Sequence, residues 1–140
     1  MNRTFKHDIG TLIPGLRIVH ASATTTTSGT LAATQTNYGM SLTKTATETG
    51  RYTCQLLKST GAADTAIGFI NAIVTIVGPD DTAMTDAKGV WSGVVRDNDI
   101  ASDGTIEIQF VDADSGADAD LQDGASFNVT LLIKDSNIAQ

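Results

Sequence analysis

The stretch "DADSGADADLQDG", Asp112 to Gly124, holds five aspartates, and aspartate oxygens at short intervals are the donors a hard cation takes. An EF-hand-like loop draws ligands from its first, third, fifth, seventh, ninth and twelfth positions. With Asp112 first, these are Asp112, Asp114, Gly116, Asp118, Asp120 and Asp123. The match is partial. The sixth position, where the motif turns on glycine, is Ala117, and the twelfth is Asp123 in place of a longer bidentate Glu. The flanks read as strands, where the motif wants helices. A calcium loop built on Asp112, Asp114, Asp118, Asp120 and Asp123 is therefore one reading. The favoured reading is a solvated acidic hairpin loop between two strands, since Asp, Ser and Gly are turn formers. A second acidic turn, "RDNDIASDG" at Arg96–Gly104, reads as a plain loop. The two could share a cation if they met at one end of the fold.

Other chemistry is sparse. His7 and His20 are the two histidines, and no serine or cysteine stands with them in a nucleophile motif. No metalloprotease or phosphate-loop sequence occurs. No catalytic residue is assigned, and the expectation is a protein that is not an enzyme. A single cysteine, Cys54, excludes an internal disulfide and reads as a small buried hydrophobe. Trp91 and Tyr52 could form a sugar platform, but their strand spacing fits packing better.

These residues need a scaffold, and the scaffold is extended chain. Only 18% of residues are charged, so threonine, serine and asparagine supply much of the polar surface. β-Branched threonine suits a pleated sheet. From Leu16, "LRIVHASA" alternates as a strand. The low-complexity segment Ala23–Asn37 fits either a loop or a Thr-rich edge strand. Period-2 patterns then place Tyr38, Met40 and Leu42 on one face, followed by Tyr52, Cys54 and Leu56. "TAIGFINAIVTIVGPDD" groups Ile70, Ala72, Val74 and Ile76 on one parity and Phe69, Ile73 and Val77 on the other. Apolar residues on both faces suggest a central strand or a subunit contact, bent near Gly68 or Asn71 and ended by Pro79. "GVWSGVVRDND" gives a further strand. Ile106, Ile108 and Phe110 face inward, with Thr105, Glu107 and Gln109 outward. Phe127, Val129, Leu131 and Ile133 close the pattern, and Asp81–Lys88 could form a short helical turn.

The expected fold is all-β. It is an antiparallel β-sandwich or jelly-roll-like domain of about eight strands over residues 16–140. An extended arm over residues 1–15 precedes it, with Pro14 and Gly15 as a turn signal. The 140-residue length suits one domain with a sizeable core. A net charge of −7 leaves no basic stripe for nucleic acid and disfavours anionic membranes. No apolar run reaches the roughly 20 residues of a membrane helix. The opening "MNRTFKHDIG" has no secretory-signal pattern, so synthesis in a cytoplasm is expected.

The segments "GRYTCQLLKS", "FINAIVTIVGPDD", "KGVWSGVVRDND" and "GTIEIQFVDADSGADADLQDGASFNVTLLIKD" span Gly50 to Asp135. Together they resemble the small capsid decoration, or cement, proteins of tailed bacteriophages and related virion structural proteins. The opening "MNRTFKHDIGTLIPGLRI" adds to the likeness. The likeness is one of overall style, so no site residue is carried over from it. It implies a β-rich homotrimer on the outer capsid surface of a virion, made in the host cytoplasm. Its partner would be the major capsid protein, whose neighbouring subunits it would cross-link to stabilise the shell. The arm, with Arg3, Phe5, Lys6, Ile9, Leu12 and Ile13, is then the natural contact segment, by strand addition. A tail or head-fibre module that binds receptor sugars and a calcium-dependent β binding module are the alternatives. No resident cofactor is expected apart from that candidate calcium.

Overall fold

The computed structural model describes residues 15–66, 68–78, 91–97 and 99–134. The contact residues proposed in the arm, Arg3, Phe5, Lys6, Ile9, Leu12 and Ile13, lie outside this set, as do His7, Pro79 and the turn expected over Asp81–Lys88.

Alternation of apolar and polar residues produces eight strands, because a strand sends successive side chains to opposite faces. They are β1 Leu16–Thr25, β2 Leu31–Tyr38, β3 Met40–Lys44, β4 Arg51–Leu56, β5 Gly68–Val77, β6 Trp91–Asp97, β7 Thr105–Asp112 and β8 Ser126–Lys134. One sheet, A, has the order β2-β1-β8-β5, and the other, B, has β3-β4-β7-β6. Every strand pairing is antiparallel. The hairpins β1–β2, β3–β4 and β6–β7 stay within a sheet, and the other connections cross from one sheet to the other. The all-β sandwich expected from the pattern is the fold that forms.

The core lies between the sheets. Sheet A contributes Val19, Ala21, Phe127, Val129, Leu131 and Ile133, and sheet B contributes Leu42, Tyr52, Cys54, Ile106, Ile108 and Phe110, all buried. Tyr52, Phe110 and Phe127 form an aromatic triangle across the interface, with ring centroids 4.9 to 5.6 Å apart. Tilted and edge-on rings at this distance add attraction beyond their buried area. The Tyr52 hydroxyl donates to the Gly29 carbonyl at 2.6 Å, so its polar end is satisfied inside the core.

The Thr-rich segment Ala23–Asn37 takes the strand alternative. It ends β1, turns tightly through Thr27–Gly29, and returns as the edge strand β2.

Five expectations are corrected here. Tyr38 does not share the inward face of Met40 and Leu42. It ends β2 and is 63% exposed, while Met40 starts a strand in the opposite sheet. Gly39 makes that switch with φ of +81°, and a Cβ there would meet Val19 Cγ1 at 2.8 Å.

Of the two readings of β5, the central strand falls, since among the described residues β5 is an edge of sheet A; a subunit contact is the alternative that an edge leaves. A bulge between Phe69 and Asn71 splits the expected parity, because the extra residue resets which face follows. Phe69 joins Ala72, Val74 and Ile76 against the core, and Ile70 turns outward with Ile73 and Val77.

The turn Arg96–Gly104 is not plain loop. It holds a single helical turn, α1, at Ile100–Asp103, which buries Ile100 and ends at Gly104 in the left-handed region. Gln109 is not outward in effect. It is 4% exposed, because its amide donates to the Thr49 and Phe110 carbonyls and its oxygen accepts from Arg51 Nε.

Candidate functional site

The acidic stretch is not a hairpin loop. It leaves β7 in sheet B and enters β8 in sheet A, so it crosses the open end of the sandwich. A crossing segment must be anchored on both sides, and the aspartates supply the anchors.

Asp112 is 7% exposed, and its Oδ1 accepts from the amides of Asp114 and Ser115, which closes the turn. Asp120 Oδ1 accepts from Lys44 Nζ at 2.7 Å and from the Gly50 amide at 2.6 Å. Lys44 Nζ also donates to the Ser28 carbonyl. The Asp120 carboxylate thus ties the crossing to β3, to the β3–β4 turn and to the β1–β2 turn. Leu121 beside it is buried. Asp123 Oδ2 accepts from the Thr27 hydroxyl at 3.4 Å. Asp114 and Asp118 face solvent.

The five proposed ligands therefore serve separate ends and do not converge. Among the described residues no three His, Cys, Asp or Glu side chains are grouped to hold a metal ion. The second acidic turn, around Asp97, Asp99 and Asp103, lies at the other end of β7. A strand of that length spans roughly 25 Å at about 3.3 Å per residue, so the two turns share no cation. Asp103 is occupied locally. The Thr105 hydroxyl and amide donate to its Oδ1 and hold its carboxyl below the usual carboxylate range.

The remaining candidates for chemistry are core residues. Burial pushes the Cys54 thiol up to about 12, so no thiolate is available near neutral pH. Tyr52 is fully buried, and burial together with the Asp120 charge raises its hydroxyl far above the ordinary value. It is no surface platform for a sugar. His20 shares a hydrogen bond with Thr130 Oγ1 at 3.1 Å, and its ring lies 6.2 Å from that of Tyr38.

What stands out instead is a surface. The outer face of sheet A is built in cross-strand rows. His20 pairs with Thr130, which pairs with Ile73; Thr24 pairs with Ser126, which pairs with Val77. Hydrogen bonds such as Thr24 to Ser126 at 2.8 Å tie the rows sideways. Among the described residues, no Asp or Glu lies on a strand of sheet A. Arg17 and Lys134 are its Arg and Lys residues, both near one end, and Arg17 pairs with Asp64 at 2.9 Å. Ile70, Ile73 and Val77 are 46%, 60% and 49% exposed along its β5 margin. The described carboxylates gather on the crossings, the turns and sheet B. Sequence order hides this segregation, because β1, β2, β5 and β8 are far apart in the chain. The visible signal was the uncharged run of β5 itself.

Searches against protein-family models, curated proteins and solved structures find no match to this chain.

Proposed function

We propose that the chain is a structural virion protein that binds the outside of a phage capsid and cross-links neighbouring major capsid subunits. The observation that carries this reading is the broad carboxylate-free face of sheet A on a chain of net charge −7. A surface that must lie flat on a partner avoids carboxylates, because each one desolvated without a counter-charge is costly. Burial of that face demands area and shape, with no convergent constellation of acids, bases or metal ligands. Many weak copies on one shell then act together through avidity. The resemblance of Gly50–Asp135 to decoration proteins supplies the class of partner.

The receptor-sugar alternative draws no support from Tyr52, which is in the core, and the side chain of its other aromatic, Trp91, lies outside those described. The calcium alternative loses its cluster, since Asp112 and Asp120 already serve as backbone and lysine anchors.

The test is quantitative mass spectrometry of purified particles of the encoding virus. About one copy per major capsid subunit is the expected result. A handful of copies per particle would place the chain at the tail or portal vertex instead. Absence from the particle would overturn the virion reading.

A further inference from the structure

β5, "GFINAIVTIV", is an edge strand of ten residues with no charged residue and no proline. Among the described residues it pairs with β8 alone, so one row of its backbone donors and acceptors is left over. Natural edges are usually guarded by charge, by proline, by shortness or by a bulge. The edges of sheet B follow that rule. β3 is five residues long and ends in Lys44, and β6 carries Arg96 and Asp97. β5 has one guard, the bulge at its start, and beyond it Asn71–Val77 continues in regular register. Among the described residues, three of the four exposed large hydrophobic side chains are on this strand.

We propose that β5 pairs edge to edge with β5 of a second copy, antiparallel about a two-fold axis, joining two A sheets into one continuous sheet. Three observations favour a second copy as the occupant. The strand is uncharged throughout, so two chains of net charge −7 meet along it without opposing carboxylates. A register with Ile73 opposite its own counterpart keeps Asn71, Ile73 and Thr75 on the same outer face in both copies, as an isologous contact requires. In that register Asn71–Thr75 of the two copies would face each other and exchange about four to six backbone hydrogen bonds, near the lower end of the range of about ten, give or take five, found in stable interfaces. The proposal goes beyond the virion reading and does not depend on it. It also departs from the trimer that the resemblance implies, because an isologous contact closes at two copies.

The experiment is light scattering with size-exclusion chromatography and sedimentation equilibrium on the full chain. The expected mass is twice the 14.6 kDa of the monomer. Ile73→Lys places a charge in the seam on a side chain that is 60% exposed, so the monomer should keep its fold by circular dichroism. The substitution should raise the dimer dissociation constant at least about tenfold, since two ammonium groups would face each other. Thr36→Lys, on the opposite edge of sheet A, should leave the dimer unchanged. Ile73→Cys should cross-link the dimer on mild oxidation, because directly opposed Cβ atoms lie about 5 Å apart. A monomer at all concentrations, a trimer, or a dimer that tolerates Ile73→Lys would overturn the proposal. So would loss of the dimer in Phe5→Asp combined with Ile9→Asp, which would assign the contact to residues 1–14.

Discussion

Asp120 and Asp114 share one acidic loop and one residue type, yet their surroundings give them different weights. The Asp120 carboxylate is held by Lys44 Nζ and the Gly50 amide, and its removal leaves both donors without that acceptor. Hydrogen bonds to a charged group contribute about 1.5–3 kcal/mol. Asp120→Ala should therefore lower unfolding free energy by about 2 kcal/mol, read from the urea midpoint at unchanged slope. Asp114 faces solvent, so Asp114→Ala should stay within about 0.5 kcal/mol of the parent. Equal losses would show that loop acidity, not the Lys44–Asp120–Gly50 anchor, is what matters. Nothing in the spacing of the aspartates separated these two roles. Lys44 lies far from Asp120 in the chain, and only the crossing brings them together.

At the scale of elements, the β3–β4 turn and the β7–β8 crossing touch through one glycine. Gly50 has φ of +64°, and a Cβ there would collide with the Ala119 carbonyl oxygen and approach the Phe110 oxygen at 2.8 Å. Gly50→Ala should cost about 3 kcal/mol, from roughly 1–2 kcal/mol of left-handed strain and about as much again from the clash. Gly116 has a similar φ of +67°, but a Cβ added there would meet nothing within 4 Å. Gly116→Ala should therefore show the strain alone, about 1 kcal/mol. Thermal midpoints of the two variants test the difference, and matching shifts would remove the contact argument. The sequence marked Gly50 as a turn. It could not mark the close approach, because that depends on a strand in sheet B passing a segment bound for sheet A. The bulge in β5 is a similar case. Its effect on Phe69 and Ile70 follows from pairing with β8, which periodicity does not encode.

For the whole molecule, Arg17 and Asp64 clasp β1 to the segment that carries the chain from sheet B to sheet A, at 2.9 Å. Burial alone would raise the Asp64 carboxyl. The Arg17 guanidinium, the Thr65 amide and Lys58 more than offset it, so the group sits below the usual carboxylate range. A carboxyl depressed in the folded state contributes stability above its unfolded value, about 3.9, and loses it as pH falls through the folded one. The parent should thus exceed Asp64→Asn by about 1 kcal/mol at neutral pH. That gap should narrow once pH drops below about 4 and close in stronger acid. A gap independent of pH in chemical denaturation would mean that the carboxylate charge is not what holds the clasp.

Local pattern was enough to settle the secondary structure class and most of the core. Period-2 placement of Tyr52, Cys54, Leu56, Ile106, Ile108, Phe127, Val129, Leu131 and Ile133 set which face of each strand would leave water, since the hydrophobic effect acts on side chains regardless of partner. The acidic runs were equally legible as turns, because aspartate and glycine favour them locally. Which strands share a sheet was settled by tertiary packing. That choice turned an apparent hairpin loop into a crossing, sent the two acidic turns to opposite ends of β7, and made β5 an edge. It also collected four strands without a carboxylate into one sheet. Sheet membership depends on the joint packing of all eight strands, and no local window of residues contains that information.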